Sequence, residues 1–393
     1  MTTHGQGSRM LNHRAFGQWH NIPLAIFSEW IAGGLAAYAR RRVRCDPTPL
    51  AEWKRILITG DNHVGDALIR TPSLPTLRKA FPNAELFFLT SPSSAPLLEH
   101  NPYLDHVLTY AASDSPFDII PKHWQHLCDL AFDASLISNP VKYWPYLKLA
   151  IDLGIPNRAS FTHKGMSGWV THSVPISFPD KLPAYFRAFV AHLANEAPSW
   201  SLRPQVFLEE RDVAEADEVW RSLGFSHETT VATFFCTTRQ PAELWPVERW
   251  AACMGLVRRK LRAEIVLAGT AADREHLTIV AGQSGVSCHV LAGALTLRGL
   301  TAFLSKAAVV VCPDSGSHHL ANAANVPVVF LRNLAFRQEE VVAYCETDRD
   351  AIEAPGGRLT RPRQRELLRA VSAEYVSNLA AAQAGLKASR PSR

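Results

Sequence analysis

Short apolar runs alternate with stretches of helical periodicity over most of the chain, and this rhythm is its main structural signal. Arg55-Ile56-Leu57-Ile58 reads as a strand running straight into Gly60-Asp61-Asn62-His63-Val64-Gly65-Asp66. Beyond it Ala67, Leu68, Leu74, Leu77 and Ala80 recur at roughly helical spacing, with Pro72 and Pro75 near the start, where a helix tolerates them. A strand at 85–89, a helix-like 95–99 and strands at 105–109 and 132–137 follow. Strands separated by helices at this spacing predict a parallel sheet covered on both faces.

The rhythm lapses around 199–204, and a second set starts at Phe207-Leu208-Glu209-Glu210. It predicts helices at 213–223, 247–260 and 272–282 and strands at 230–235 and 264–268. It then reaches 309–331, VVVCPDSGSHHLANAANVPVVFL. Here an apolar run precedes the turn Asp314-Ser315-Gly316-Ser317, His318-His319 open a helix-like 320–324, and a second apolar run closes the stretch. Strand, loop, helix and strand in this order form a parallel crossover unit. Its loop offers donors and acceptors where a helix begins, and a helix N-terminus favours an anion such as a diphosphate.

The expected organisation is therefore α/β with two Rossmann-like, doubly wound domains: an extension at 1–50, a first domain at 51–204, a second at 205–350 and a C-terminal helix and tail at 351–393. The tail is amphipathic and Ala-rich over 363–386 and could pack back across the first domain. Two such domains facing one another leave a cleft at the carboxyl ends of their strands, where α/β ligands bind.

Composition agrees. The 393 residues, 47% hydrophobic and 20% charged, suffice for two cores. A formal charge of +5 favours anionic partners such as nucleotides, phosphorylated glycans or a membrane surface, and falls short of a dedicated nucleic-acid binder, so no nucleic acid is expected. Seven scattered cysteines without a C-x-x-C pair indicate neither a zinc site nor a disulfide framework, which suits a reducing, cytoplasmic setting.

The stretch 22–38 is largely apolar and runs into Arg40-Arg41-Arg42 and Arg44. Glu29 and Gly33-Gly34 interrupt it, it is shorter than the roughly twenty residues of a spanning helix, and its charge follows the apolar part where a secretory signal carries it first. Two readings stay open: an interfacial helix with a basic flank drawn to anionic lipid, or an extension packed on the body of the protein.

Two formal motifs are discounted. Gly60 to Gly65 spaces its glycines as a P-loop does, but Asp66-Ala67 stand where Lys-Ser/Thr would grip phosphate and magnesium. Asp348-Arg349-Asp350 has a D-x-D spacing, yet it sits in a charged, loop-like segment, and no metal site is assigned.

Taken together these residues resemble glycosyltransferase family 9, the heptosyltransferases of bacterial lipopolysaccharide biosynthesis, over roughly Arg55 to Leu331. The marks are Gly65-Asp66 with Thr71-Pro72-Ser73-Leu74, then Asn101-Pro102-Tyr103-Leu104-Asp105, Trp245-Pro246 with Trp250, and Asp314-Ser315-Gly316-Ser317-His318-His319-Leu320-Ala321. The resemblance implies the GT-B fold and inverting, metal-independent transfer of a sugar, typically from ADP-heptose, to lipopolysaccharide core or a related glycan. It implies no cofactor and a cytoplasmic place, peripheral at the inner membrane; the first fifty residues lie outside the family pattern, and a membrane contact through them is one of the two readings left open above.

Residue by residue, it places the catalytic base on Asp66, with Gly65 beside the acceptor. Asp314, Ser315, Gly316 and His319 fall on the donor loop, Thr237, Thr238 and Arg239 on a second phosphate loop, and Asp273 near the ribose. A carboxylate close to the acceptor hydroxyl suits a displacement in which that hydroxyl loses its proton. One departure stands out: the family lysine two residues before Trp-Pro is here Glu243, which also fits a degenerate GT-B protein that binds a nucleotide or glycan without turnover. A GT-B nucleotide-sugar epimerase ranks behind both.

Plainer roles compete for several of these residues. Asp66 could cap its helix, Asp314 could tie down its turn, and Trp245 and Trp250 suit core packing better than nucleotide stacking. His318 and His319 point about 100° apart on a helix, and His319 is the one expected to face the ligand.

Overall fold

The computed structural model describes residues 33–43, 45–59, 63–110, 125–138, 144–161, 166–175, 181–238, 245–334, 343–352 and 359–388. The chain divides into two compact units at Trp200/Ser201, a few residues ahead of the boundary read from the sequence.

The first unit holds a sheet of strands β1 (Arg55–Thr59), β2 (Glu85–Thr90), β3 (His106–Thr109), β4 (Ala134–Ile137), β5 (Asn157–Phe161) and β6 (His172–Val174), in the order β3-β2-β1-β4-β5-β6. Every pairing is parallel, with Ile56 opposite both Leu86 and Ala134. Its helices include α1 (Val64–Leu68), α2 (Leu74–Ala80), α3 (Trp144–Asp152) and α4 (Leu182–Ala194).

Successive strand residues enter opposite cores. Ile56, Ile58, Leu86 and Phe88 meet Leu74 and Leu77 of α2 and Phe186 and Phe189 of α4. Leu57, Phe87 and Leu89 meet Leu147 and Ile151 of α3. Covering both faces is why these strands read as unbroken apolar runs. Residues 33–42 are helical; Ala39 is buried in the second of these cores with Leu35, Tyr38 and Val43 against it, and the Tyr38 hydroxyl donates to Asp152 at 2.9 Å. The rest of the apolar stretch, and Arg44, lie outside the described residues.

The second unit repeats the plan with β7 (Val231–Phe234), β8 (Glu264–Gly269), β9 (Cys288–Ala292), β10 (Val309–Pro313), β11 (Val328–Leu331) and β12 (Asp348–Asp350), ordered β12-β11-β10-β7-β8-β9 and wholly parallel. Its helices are α5 (Glu210–Ser222), α6 (Val247–Leu261), α7 (Arg274–Gln283), α8 (Leu297–Lys306), α9 (Gly316–Ala323), α10 (Arg361–Ala370) and α11 (Ala373–Ala388). Helix α5 starts ahead of the position read from its apolar spacing because Glu209 and Asp212 form a capping box. Asp212 also accepts from Arg298 of α8, Nε to Oδ2 2.8 Å, in a buried pair.

The sequence suggested one tail helix over 363–386. Two form instead, broken at Val371, whose extended backbone presents its carbonyl to Trp245 Nε1 at 3.2 Å, while the Ser372 hydroxyl accepts the Tyr375 amide. Val376, Ala380 and Ala384 of α11 enter the same core as Trp250, Met254 and Val257 of α6, so the tail helix spends its apolar stripe within the second unit. Trp245 and Trp250 are themselves buried there, ring centroids 4.9 Å apart at 85°.

Candidate active site

In each sheet the first and fourth strands of the unit lie side by side, β1 with β4 and β7 with β10, and the chain winds away from that line in opposite directions. This is the topological switch point, where the crevice beyond the strands' carboxyl ends accepts ligands in open α/β sheets. Both groups of candidate residues follow these strands.

In the first unit, Asp66 stands in the first turn of α1, just after β1. The N-cap of that helix is His63, which makes no side-chain cap bond, and Asp66 stands at the third helical position. Gly65 is buried. One turn on, the buried Arg70 guanidinium donates to the Asp66 backbone carbonyl and, through Nε, to Ser138 Oγ at 3.2 Å, tying α1 to the end of β4. The Asn101 to Asp105 motif is scaffolding: Asn101 Oδ1 accepts the Tyr103 amide at 3.0 Å, and Asp105 accepts the Leu86 amide at 2.7 Å and pairs with Arg78.

In the second unit, Thr237 and Thr238 follow β7, and Asp314 follows β10. Thr238 and Asp314 line one small hollow with Pro313, Leu331, Arg332 and Asn333. Arg239 and Glu243 lie outside the described residues. Asp314 is anchored to the end of β11: its amide donates to Leu331 O at 2.9 Å and its Oδ2 accepts the Asn333 amide at 3.2 Å. Ser315 is the N-cap of α9, yet its hydroxyl bonds Ser317 Oγ at 2.7 Å and makes no cap bond, so it does not cover the amides that open with Gly316. Asp273 closes its own turn beyond β8, with Oδ2 accepting from the Thr270 amide at 2.7 Å and hydroxyl at 2.6 Å.

The two histidines do not diverge as their helical spacing suggested: their rings stack with centroids 5.1 Å apart at 27°, and both lie near Tyr344, although their hydrogen-bond partners differ. His319 is partly buried, its Nδ1 2.7 Å from the Tyr344 hydroxyl. His318 is 2% exposed and stacks on Phe330, with centroids 3.9 Å apart. Its Nε2 is 2.9 Å from Asp348 Oδ2, and its Nδ1 is 3.8 Å from Asp314 Oδ1. Asp348 also accepts from Asn322 Nδ2 at 3.0 Å and from the Tyr344 and Cys345 amides, both at 3.1 Å.

So many donors mark an ionised carboxylate. Burial alone would raise Asp348, but the hydrogen bond and charge of His318, with Asn322 and the Tyr344 amide, hold it below its usual range. Burial alone would lower His318, and the Asp314 and Asp348 carboxylates outweigh it, bringing His318 up to about 9. Burial and the adjacent His318 charge push His319 down to about 3, so it is neutral.

Asp314, His318 and His319 bring possible ligand atoms within 4.8 Å of one another. A cation there would compete with the proton that His318 carries between its two carboxylates. The D-x-D segment, read from sequence as a charged loop, is instead the edge strand β12. Its first aspartate faces His318 and its second faces Arg332, Nε to Oδ2 2.7 Å. Sequence reasoning missed the roles of His318, Asn322, Tyr344 and Asp348, and only the D-x-D spacing hinted at the last.

Comparison with known proteins bears on the family and the fold. The family model Glycosyltransferase family 9 (heptosyltransferase) matches residues 121–331. The lipopolysaccharide core heptosyltransferase OpsX of Haemophilus influenzae is 23% identical over 288 residues, covering 71% of this chain and 78% of that protein. A glycosyl transferase family 9 structure from Veillonella parvula superposes with a TM-score of 0.71 at 21% identity, covering 87% of this chain and all of the other. E. coli ADP-heptose LPS heptosyltransferase II gives a TM-score of 0.64 at 19% identity, covering 85% of this chain and 100% of its own. The two structures share a fold with this chain.

Proposed function

Because the chain belongs to glycosyltransferase family 9, the heptosyltransferase family, we propose that it moves a heptose from ADP-heptose to a hydroxyl of lipopolysaccharide core or a related glycan, inverting the anomeric carbon without a metal ion. The donor and acceptor are those in the names of its relatives. In this reading Asp66 takes the proton of the acceptor hydroxyl as its oxygen bonds to the anomeric carbon. The bond from that carbon to the diphosphate breaks, and ADP leaves with the electron pair. The charge gathering on the diphosphate meets the α9 amides and the Ser315 hydroxyl. Thr237, Thr238 and Arg239 are assigned to the phosphates, Asp273 to the ribose, His319 to the donor loop and Gly65 to close approach of the acceptor.

One observation carries the reading: Asp66 and the Asp314 to His319 loop each follow a strand at a switch point of their sheet. Metal independence is supported by the engagement of both D-x-D aspartates with protein cations. We place the enzyme at the cytoplasmic face of the inner membrane, with the exposed Arg40, Arg41 and Arg42 towards anionic lipid. Among the described residues no helix is long and apolar enough to cross a membrane.

A thermal-shift screen with ADP-, GDP-, UDP- and CDP-sugars, followed by a transfer assay with the stabilising donor, tests the proposal. Stabilisation by ADP-heptose with release of ADP on adding acceptor supports it. Binding without turnover would favour the degenerate binder that Glu243 suggests, and the absence of any stabilising nucleotide sugar would overturn both.

A further inference from the structure

We propose that His318 is a positioning residue: as an imidazolium between Asp348 of β12 and Asp314 of the β10–α9 turn, it fixes the turn that receives the donor diphosphate. The inference rests on the donor-loop reading above and concerns a residue that reading leaves idle.

The two ring nitrogens face different carboxylates, and Asn322 Nδ2 also lies 3.2 Å from Nε2 while donating to the same Asp348 oxygen. Nε2 faces Asp348 Oδ2 at 2.9 Å, and that oxygen already collects the Asn322 side-chain amide and the Tyr344 backbone amide, so the proton between them belongs to the imidazole. Nδ1 makes no hydrogen bond and faces Asp314 Oδ1 at 3.8 Å, a charge–charge contact. With a proton on Nδ1 this is attraction; without it, a lone pair confronts a carboxylate and the turn is pushed apart. The ring cannot step aside, because Phe330 of β11 stacks on it at 3.9 Å and its backbone amide holds Ser315 O at 3.0 Å. Arg203 braces the far side, donating to Asn322 O and Thr347 Oγ1, both at 3.1 Å.

The remaining groups around the ring leave the charge to His318. His319 is held neutral, the Tyr344 phenol is raised by burial, and Asp350 is matched by Arg332. Losing the proton would leave Asp314 and Asp348 uncompensated beside the place of a diphosphate. The raised His318 value, about 9, puts that loss above neutrality.

The test is ADP affinity between pH 7 and 10, with steady-state transfer, for the full chain and for His318→Gln and Asp348→Asn. The wild type should bind ADP steadily to about pH 8 and weaken through about pH 9. His318→Gln should bind about tenfold more weakly at neutral pH, lose the fall above pH 8, and raise the donor KM with kcat changed less than about threefold. Asp348→Asn should move the fall to lower pH. If His318→Gln binds ADP like the wild type, or keeps the alkaline fall, the proposal is wrong. If a chelator abolishes wild-type ADP binding and a divalent ion restores it, the cluster is a metal site and the proposal is equally wrong. Where a variant does not fold, the ring nitrogen shifts of His318 in labelled wild type decide, since a neutral ring at pH 7 overturns the assignment. If wild type binds no nucleotide at any pH, the donor-loop reading itself has failed, and the inference falls with it.

Discussion

Arg332 Nε lies 2.7 Å from Asp350 Oδ2, so the second carboxylate of a sequence that spells D-x-D faces a fully buried guanidinium. Its chelating partner by spacing, Asp348, faces His318. Transfer is therefore expected to survive excess EDTA unchanged. Asp350→Ala should act on the fold, lowering stability by about 3–5 kcal/mol as the buried guanidinium loses its counter-ion. Denaturant unfolding alongside an EDTA-treated transfer assay checks both; a strict manganese requirement would return these aspartates to metal binding.

Asp66→Asn keeps the size of the side chain and removes its basicity. Donor affinity should stay within about twofold while transfer falls by about two to four orders of magnitude, the usual worth of a general base. Calorimetric ADP binding and single-turnover transfer separate the two effects, and full turnover in the variant would remove Asp66 from the chemistry.

The histidine pair gives the second unit two opposed pH limits. His318 is raised from 6.5 to about 9 in the folded chain, so its stabilisation is complete below about 6.5 and disappears as pH rises through about 9. His319 is depressed to about 3, so the folded state resists its protonation and loses stability as pH falls from about 6.5 towards 3. Denaturation midpoints should peak near neutrality, with the alkaline limb flattened in His318→Gln and part of the acid limb flattened in His319→Asn. An unchanged alkaline limb in His318→Gln would falsify the charge assignment.

Gly293 follows β9 with φ +66, and an added Cβ would lie 2.8 Å from Ala271 Cβ and 2.9 Å from Ala271 N. Gly293→Ala should cost about 1–3 kcal/mol, from both the left-handed backbone and the contact, and should loosen the turn that carries Asp273. Urea unfolding compared with a surface Gly→Ala control, such as Gly282→Ala, checks this; equal stability would show that the turn yields.

The sequence made the paired α/β plan legible because strands buried on both faces, such as Ile56 to Ile58 and Val309 to Val311, read as continuous apolar runs. It lost elements where that logic weakens. The half-buried Cys288, His289 and Val290 of β9 and the charged Asp348–Asp350 of β12 lie at the two edges of their sheet and lack the apolar signature. The places of Asp66 after β1 and of the Asp314 turn after β10 could be read from order and spacing. The His318–Asp348 pair could not, because it joins residues of different elements, and a buried polar partnership leaves no periodicity.

The packing of residues 35–43 into the core of the first unit sets a limit for anyone trimming the gene. Ala39 is buried and the Tyr38 hydroxyl holds Asp152, so a polypeptide begun at Asp46 would open a hole in the layer that α3 shares. A shortened product should start before residue 33; one that starts later removes Ala39 from the core and Tyr38 from Asp152 and Trp169, and invites insolubility easily mistaken for the loss of a lipid anchor.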